Sequence, residues 1–180
     1  MVLPSSPSPL RASGVSSETF RAGMRHLAGA VTVLAASQDD GSLVGLAATA
    51  VCSLSAEPAA LLACVNRATS LGRIIAPGMA FSVNVLAARH ETLARAFGGM
   101  LGLEQEARYA LAEWRRSETD APMLADALVS FSCRVSQLIA HASHVIVIGE
   151  VERVALAEGA SIQPSLVYHH GGFGSVHAAV

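Results

Sequence analysis

Residues 45–70 read GLAATAVCSLSAEPAALLACVNRATS. Leu43 to Val51 is an apolar, strand-like run that ends in small and hydroxyl side chains, Cys52, Ser53 and Ser55. Glu57-Pro58 makes a turn, and a second apolar run, Ala59 to Val65, ends in Asn66-Arg67-Ala68-Thr69-Ser70. Two buried strands therefore finish in clusters of hydrogen-bond donors, one of them carrying an arginine. Small side chains let a ligand approach the backbone closely. Hydroxyls, backbone N–H groups and a guanidinium together suit a phosphate.

The flanking sequence extends this into a β-rich domain. Ser16 or Ser17 caps a helix with Glu18 in its first turn, and Phe20, Met24, Leu27 and Ala28 share one face of it. Ala30 to Ala36 reads as a strand, and Asp39-Asp40-Gly41 turns it into the run from Leu43. A short helix is expected from about Ser70 to Ala76, stopped by Pro77-Gly78. Phe81, Val83 and Val85 alternate with Ser82 and Asn84, predicting a strand with one apolar face. Arg89 to Phe97 is helical up to Gly98-Gly99, Leu103 to Trp114 forms a second helical segment, and Arg115 to Pro122 is loop. Val129 to Ser136 and Val145 to Val154 are strands, the second entered through His141-Ala142-Ser143-His144. Leu166 to Tyr168 is a last short strand before a Gly-rich tail. Six or seven strands with hairpin-scale turns and two or three helices predict an antiparallel barrel with helical additions.

Composition narrows the function classes. The chain has 180 residues, enough for one domain with a real core, and 52% of them are hydrophobic. Every apolar run is interrupted well short of the roughly 20 residues of a membrane helix, so the excess apolar surface points to a subunit interface. With a formal net charge of −2, nothing suggests a nucleic-acid footprint. All twelve basic residues are arginine. Three cysteines, Cys52, Cys64 and Cys133, lie in strand-like runs without a C-x-x-C, which reads as reduced core thiols in the cytoplasm. Residues 1–16, rich in Pro and Ser and lacking the apolar core of a signal peptide, are expected to be a disordered lead-in to a single domain over 17–180.

Several chemistries fail on spacing. Seven histidines invite a metal, but His169 and His170 are adjacent and would point to opposite faces of a strand, with no carboxylate or cysteine at ligand spacing. Gly171-Gly172-Phe173-Gly174 is not G-x-G-x-x-G and no helix can follow it before Val180. There is no P-loop, no G-x-S-x-G and no nucleophile–His–acid set. On residues alone, Thr49, Ala50, Ser53 and Ser55 are equally a small-residue sheet edge, Arg67-Thr69-Ser70 an ordinary helix cap beside a solvated arginine, Phe97 a core residue, and His144 a turn residue.

Other motifs in chain order are Phe20-Arg21-x-x-Met24, Gly29-Ala30-Val31-Thr32-Val33, Phe81-Ser82-Val83-Asn84-Val85-Leu86, Leu93-Ala94-x-x-Phe97-Gly98, His144-x-x-x-x-Gly149-x-Val151 and Leu166-x-Tyr168-His169-x-Gly171-x-Phe173. Together with residues 45–70, this series resembles the flavin-reductase-like family of split-barrel flavoproteins over roughly residues 18 to 176. The resemblance implies a mostly β fold with helical additions, a Greek-key, FMN-binding split β-barrel. It implies a homodimer with the flavin near the subunit interface. It implies an NAD(P)H:flavin oxidoreductase using FMN or FAD with NADH or NADPH, whose reduced flavin diffuses to a separate monooxygenase. By the same resemblance, Ala47, Ala48, Thr49, Ala50, Val51, Ser53 and Leu54 line the isoalloxazine, with Ala47 and Thr49 where Thr and Asn are common. Asn66, Arg67, Ala68, Thr69, Ser70 and Leu71 hold the ribityl phosphate, and Phe97 lies near the flavin. His144 sits beside the nicotinamide, preceded by Ser143 where relatives have Asp, and Tyr168, His169 and Gly171 mark the region where the dinucleotide docks. Two alternatives on the same barrel are a flavoprotein that keeps its flavin and reduces another acceptor, and a non-enzymatic flavin or haem binder.

Overall fold

The computed structural model describes residues 14–177. Most of the expected lead-in lies outside the described residues; its last member, Ser16, is the cap of the first helix. The Ser16 hydroxyl accepts the Thr19 N–H at 3.1 Å and starts α1 (Ser17–Met24). Two short strands follow, β1 (Gly29–Ala30) and β2 (Thr32–Ser37). A turn in which Asp40 Oδ1 accepts the Ser42 N–H at 2.9 Å leads into β3 (Leu43–Ala48). Then come β4 (Val51–Ala56), a turn with a cis Glu57–Pro58 bond, and β5 (Ala59–Asn66). Next are α2 (Ser70–Ile74), β6 (Ala80–Val85), α3 (Glu91–Phe97) and α4 (Gln105–Tyr109). The chain ends in three hairpins: β7 (Trp114–Arg116) with β8 (Pro122–Leu124), β9 (Val129–His141) with β10 (His144–Leu156), and β11 (Ser165–His169) with β12 (Gly172–Val176).

Seven strands form one antiparallel sheet in the order β3-β2-β6-β9-β10-β5-β4. Laid flat at about 4.8 Å per strand, its edges would be roughly 29 Å apart. Yet β3 and β4, the two edges, are consecutive in the chain and separated only by Thr49 and Ala50. That link spans at most about 11 Å. The sheet must therefore curl until its edges meet, which makes it a barrel. The expected single strand from Leu43 to Val51 is thus two strands on opposite edges, broken where the chain crosses the barrel mouth.

The barrel interior holds Leu34, Leu61, Val65, Phe81, Val83, Val135 and Val147. A second core lies outside the barrel wall, where Val33, Leu86, Leu93, Phe97, Tyr109 and Leu166 pack. Because β2 and β6 stand between the two cores, both of their faces are buried. Ser82 and Asn84, expected on a solvated face, are 0% exposed. Asn84 Oδ1 accepts the Leu124 N–H at 2.9 Å and the Ser130 hydroxyl at 2.7 Å, while its Nδ2 donates to the Val33 carbonyl at 3.0 Å. This satisfied network pins β8 to the barrel wall.

Three further expectations are corrected. The helix expected over Leu103 to Trp114 is only Gln105–Tyr109, and Trp114 begins a strand. Its ring packs 5.7 Å from Phe97 and 4.8 Å from Tyr109; the loop expected over Arg115 to Pro122 is present at 117–121, with its ends paired in the β7–β8 hairpin. The Gly-rich tail is strand β12, paired to β11. Cys52, expected in the core, is exposed because β4 is an edge strand; Cys64 is half-buried and Cys133 buried. No helix among the described residues is long and apolar enough to cross a membrane.

Candidate functional site

Strand β5 brings the parts of the site together. It pairs antiparallel with β10, placing His144 opposite Asn66, and with β4, placing Val51 opposite Ala63. The Cys64 N–H donates to the Ala50 carbonyl at 2.9 Å, and the Arg67 N–H donates to the Ser143 carbonyl at 3.0 Å. Segments 49–53, 66–70 and 143–144, far apart in sequence, therefore meet at one end of the barrel.

The turn after β5 is tightly built. Asn66 Oδ1 accepts the Ala68 N–H at 2.9 Å. Thr69 Oγ1 donates to the Asn66 carbonyl at 2.7 Å and accepts the Gly72 N–H at 3.1 Å, capping α2. A Cβ on Gly72 would lie 2.1 Å from the Asn66 carbonyl oxygen, so only glycine lets α2 sit this close to the turn. A cavity of about 450 Å³ opens here between Asn66, Arg67, Ala68, Gly72, Arg73 and Ser143. Neither guanidinium makes a hydrogen bond or ion pair among the described residues, and no carboxylate lines the cavity. Two unpaired cations beside a turn of small residues fit a phosphate, so this donor set fits a phosphate-bearing flavin. Ser70 and Leu71 are the first residues of α2, whose amides lack partners within the helix. The Leu71 side chain is fully buried, so Leu71 can offer only its backbone.

Beside the turn lies a surface of small side chains. Ala47 and Ala48 are half-buried on β3, Thr49 and Ala50 are exposed at the crossing, and on β4 Val51 is half-buried while Ser53 and Leu54 are exposed. Thr49 and Ala50 also border a groove of about 630 Å³, closed on one side by α1 and on the other by Tyr168, His169 and Gly171. Pairing of Gly29 with Tyr168 sets that wall, and the Tyr168 ring packs edge-on to Phe173 at 5.1 Å. His144 is exposed, and its Nδ1 shares a 2.9 Å hydrogen bond with Ser143 Oγ, so the serine orients the ring.

Phe97 is not brought to this surface. It is 4% exposed and packs edge-on to Tyr109 at 5.0 Å in the second core, under Gly45. His169 and His170 do not alternate as strand neighbours would. His170 takes φ 51° in the turn, so the two rings meet at 4.4 Å, and His170 Nε2 lies 3.1 Å from His26 Nδ1. Local desolvation, then His26, His169 and Arg25, hold His170 below the ordinary imidazole value. Among the described residues, no group of three or more His, Cys, Asp or Glu is arranged to hold a metal. Gly72 and Arg73 were missed by sequence reasoning. Arg73 was findable, because it lies three residues after Ser70 and so shares a helix face with it.

The model of the family described as the flavin reductase like domain matches residues 24–177. The chain belongs to the flavin reductase-like family. It is 36% identical over 158 residues to the FMN reductase (NADH) RutF of Ancylobacter novellus, covering 88% of this chain and 84% of that protein. It is similar to the structure of a candidate flavin reductase of Haemophilus somnus 129PT, with a TM-score of 0.83 and 30% identity over 90% of this chain and 100% of the other. It is also similar to BorF, the flavin reductase component of a bacterial two-component tryptophan halogenase, with a TM-score of 0.79 and 25% identity over 91% of this chain and 100% of the other. The flavin reductase fold is the split barrel read from the strand order above.

Proposed function

We propose that this protein is an NADH-dependent flavin reductase that delivers reduced flavin to a separate monooxygenase or related oxygenating partner. The observation that carries this reading is the meeting of Arg67, Arg73 and Ser70 with the Thr49–Ala50 crossing and His144 at one barrel end. Relatives named as NADH-dependent FMN reductases support NADH and FMN as the favoured pair. BorF, a component of a two-component system, supports transfer to a separate protein.

When bound, the flavin supplies the two-electron acceptor chemistry, taking a hydride equivalent from the dihydronicotinamide. The chain supplies position. Arg67 and Arg73, with the 66–70 turn, hold the phosphate. Ala47, Ala48, Thr49, Ala50 and Val51 form a low wall that admits a planar ring, with Ser53 and Leu54 beyond it. His144, oriented by Ser143, faces the region where the nicotinamide carboxamide would lie and can donate from Nε2 while neutral. No protein nucleophile is needed, so catalysis rests on orientation and electrostatics.

The protein acts as a homodimer in this reading. Val154 and Leu156, two apart on β10, are 48% and 75% exposed, an apolar surface that suits a subunit interface. A cytoplasmic location goes with a supply of NADH and unpaired cysteines, and residues 17–180 act as one domain.

The test is steady-state NADH oxidation with free FMN and free FAD in turn, alongside the absorption spectrum and sedimentation of the purified protein. Turnover with added FMN, a colourless protein as isolated and a dimer are expected. A flavin that stays bound through turnover would make it a flavoprotein reducing another acceptor, and no NADH oxidation with either flavin would leave only a binding role.

A further inference from the structure

The described residues contain eleven arginines, and their partners sort them by role. Arg89, Arg95, Arg115, Arg116, Arg134 and Arg153 each pair with a carboxylate, and Arg108 donates to the Leu103 carbonyl at 2.7 Å. Four guanidiniums have no partner among the described residues: Arg21, Arg25, Arg67 and Arg73. Arg67 and Arg73 line the 450 Å³ cavity, and Arg21 and Arg25 line the 630 Å³ groove that Thr49 and Ala50 border. The unpaired cations are thus not scattered; they form two pairs, one in each cavity.

From this we infer that Arg21 and Arg25 seat the diphosphate of the nicotinamide dinucleotide in the groove under α1. The inference rests on the reading of the protein as a flavin reductase. Arg21 and Arg25 are four apart on one helix face, so their guanidiniums reach the same side. No carboxylate lines the groove, and the His170 N–H donates to the Arg25 carbonyl at 2.9 Å, tying the helix end to the opposite wall. Phe20, Met24 and Tyr168 give the same groove apolar faces on which a base or nicotinamide ring can lie. A cavity of this size holds much of a dinucleotide. The reaction brings together two phosphate-bearing molecules, and the flavin phosphate already has its own pair of cations. Arg21 in the last turn of α1 and Arg25 at its C-cap also complement the helix dipole, a role that by itself predicts no change in NADH dependence when either charge is removed.

The experiment compares wild type with Arg21→Gln, Arg25→Gln and the double variant at saturating FMN, using two reductants. NADH carries the diphosphate; N-benzyl-1,4-dihydronicotinamide carries none. The expected result is a KM for NADH raised about tenfold by each substitution and more by the double, the size of a lost charge-assisted contact. Turnover of the benzyl compound, the Kd for FMN and the thermal midpoint should stay at wild-type values. The KM for NADH of the wild type should climb with salt, and that slope should flatten in the double variant. An NADH KM within twofold of wild type in the double variant overturns the inference. So does an equal loss with the benzyl compound, which would mean a scaffold role, or a loss confined to FAD affinity, which would give the seat to the flavin's adenylate. If the wild type oxidises the benzyl compound with FMN but not NADH, this inference falls while flavin reduction stands; if it oxidises neither, the reading of the function falls first.

Discussion

Gly72→Ala isolates the packing that shapes the phosphate turn. The added Cβ would lie 2.1 Å from the Asn66 carbonyl oxygen and 2.9 Å from the Arg67 Cα, both backbone atoms that no rotamer change can move. A methyl and an oxygen settle at roughly 3.3 Å, so the turn and α2 must separate by at least about 1 Å. That shift pulls the Asn66 carbonyl from the Thr69 hydroxyl, now at 2.7 Å, and strains the cap from Thr69 to the Gly72 N–H. Overpacking of this kind costs about 1–3 kcal/mol. The usual gain of alanine over glycine in a helix, about 0.5–1 kcal/mol, opposes it. The net is a loss of about 1–2 kcal/mol, or roughly 2–8 °C in thermal midpoint for a domain of this size. Displacing Arg67 by about 1 Å also loosens the phosphate seat, so the Kd for FMN should rise on the order of tenfold. Gly23→Ala is the control, because nothing lies within 4 Å of a Cβ at Gly23 in α1, and it should be neutral or slightly stabilising. Thermal melts and fluorescence titration with FMN read both effects. A Gly72→Ala protein that melts at or above wild type and binds FMN within twofold would refute the close-packing argument.

Four other outcomes are expected. Arg67→Gln and Arg73→Gln should each weaken FMN binding about tenfold while leaving turnover at saturating flavin near wild type, because a phosphate contact is uniform binding; flavin titration with steady-state kinetics checks this. His144→Ala should impair the NADH dependence of flavin reduction in stopped flow with flavin affinity kept; wild-type NADH dependence with lost flavin affinity would move His144 to the flavin site. Asn84→Ala should destabilise by about 3–5 kcal/mol in urea unfolding, since it leaves the Leu124 N–H and the Ser130 hydroxyl without the bonds they now make. Burial, aided by Glu152, pushes the Cys133 thiol up from 9.0 to about 12, so exposed Cys52 should react first with Ellman's reagent and Cys133 only on unfolding. With the folded value raised, that burial contributes stability below pH 9.0 that fades as pH climbs toward about 12.

Local chemistry made much of the barrel legible in the chain. The strands β2, β5, β6, β9 and β10 follow from apolar runs and alternation, and the turns at Asp40, Pro58 and Gly78 from residues whose backbone preferences are local. The Asn66–Ser70 turn announced itself because its Asn66 and Thr69 side chains bond to neighbours two or three residues away. What lay beyond the sequence depends on pairing across the molecule. Whether Ser82 and Asn84 meet water depends on β8, some 40 residues later, and no periodicity within β6 records it. The break at Thr49 and Ala50 exists because a seven-stranded sheet must close on itself, a property of strand order rather than of any short window. The adjacent histidines seemed bound to diverge, yet one left-handed residue at His170 turns them together. Which of the described arginines lack partners, and that they fall in pairs in two cavities, is set by where the carboxylates of distant strands end up. Composition counts charges, and only the fold decides which of them remain for a ligand.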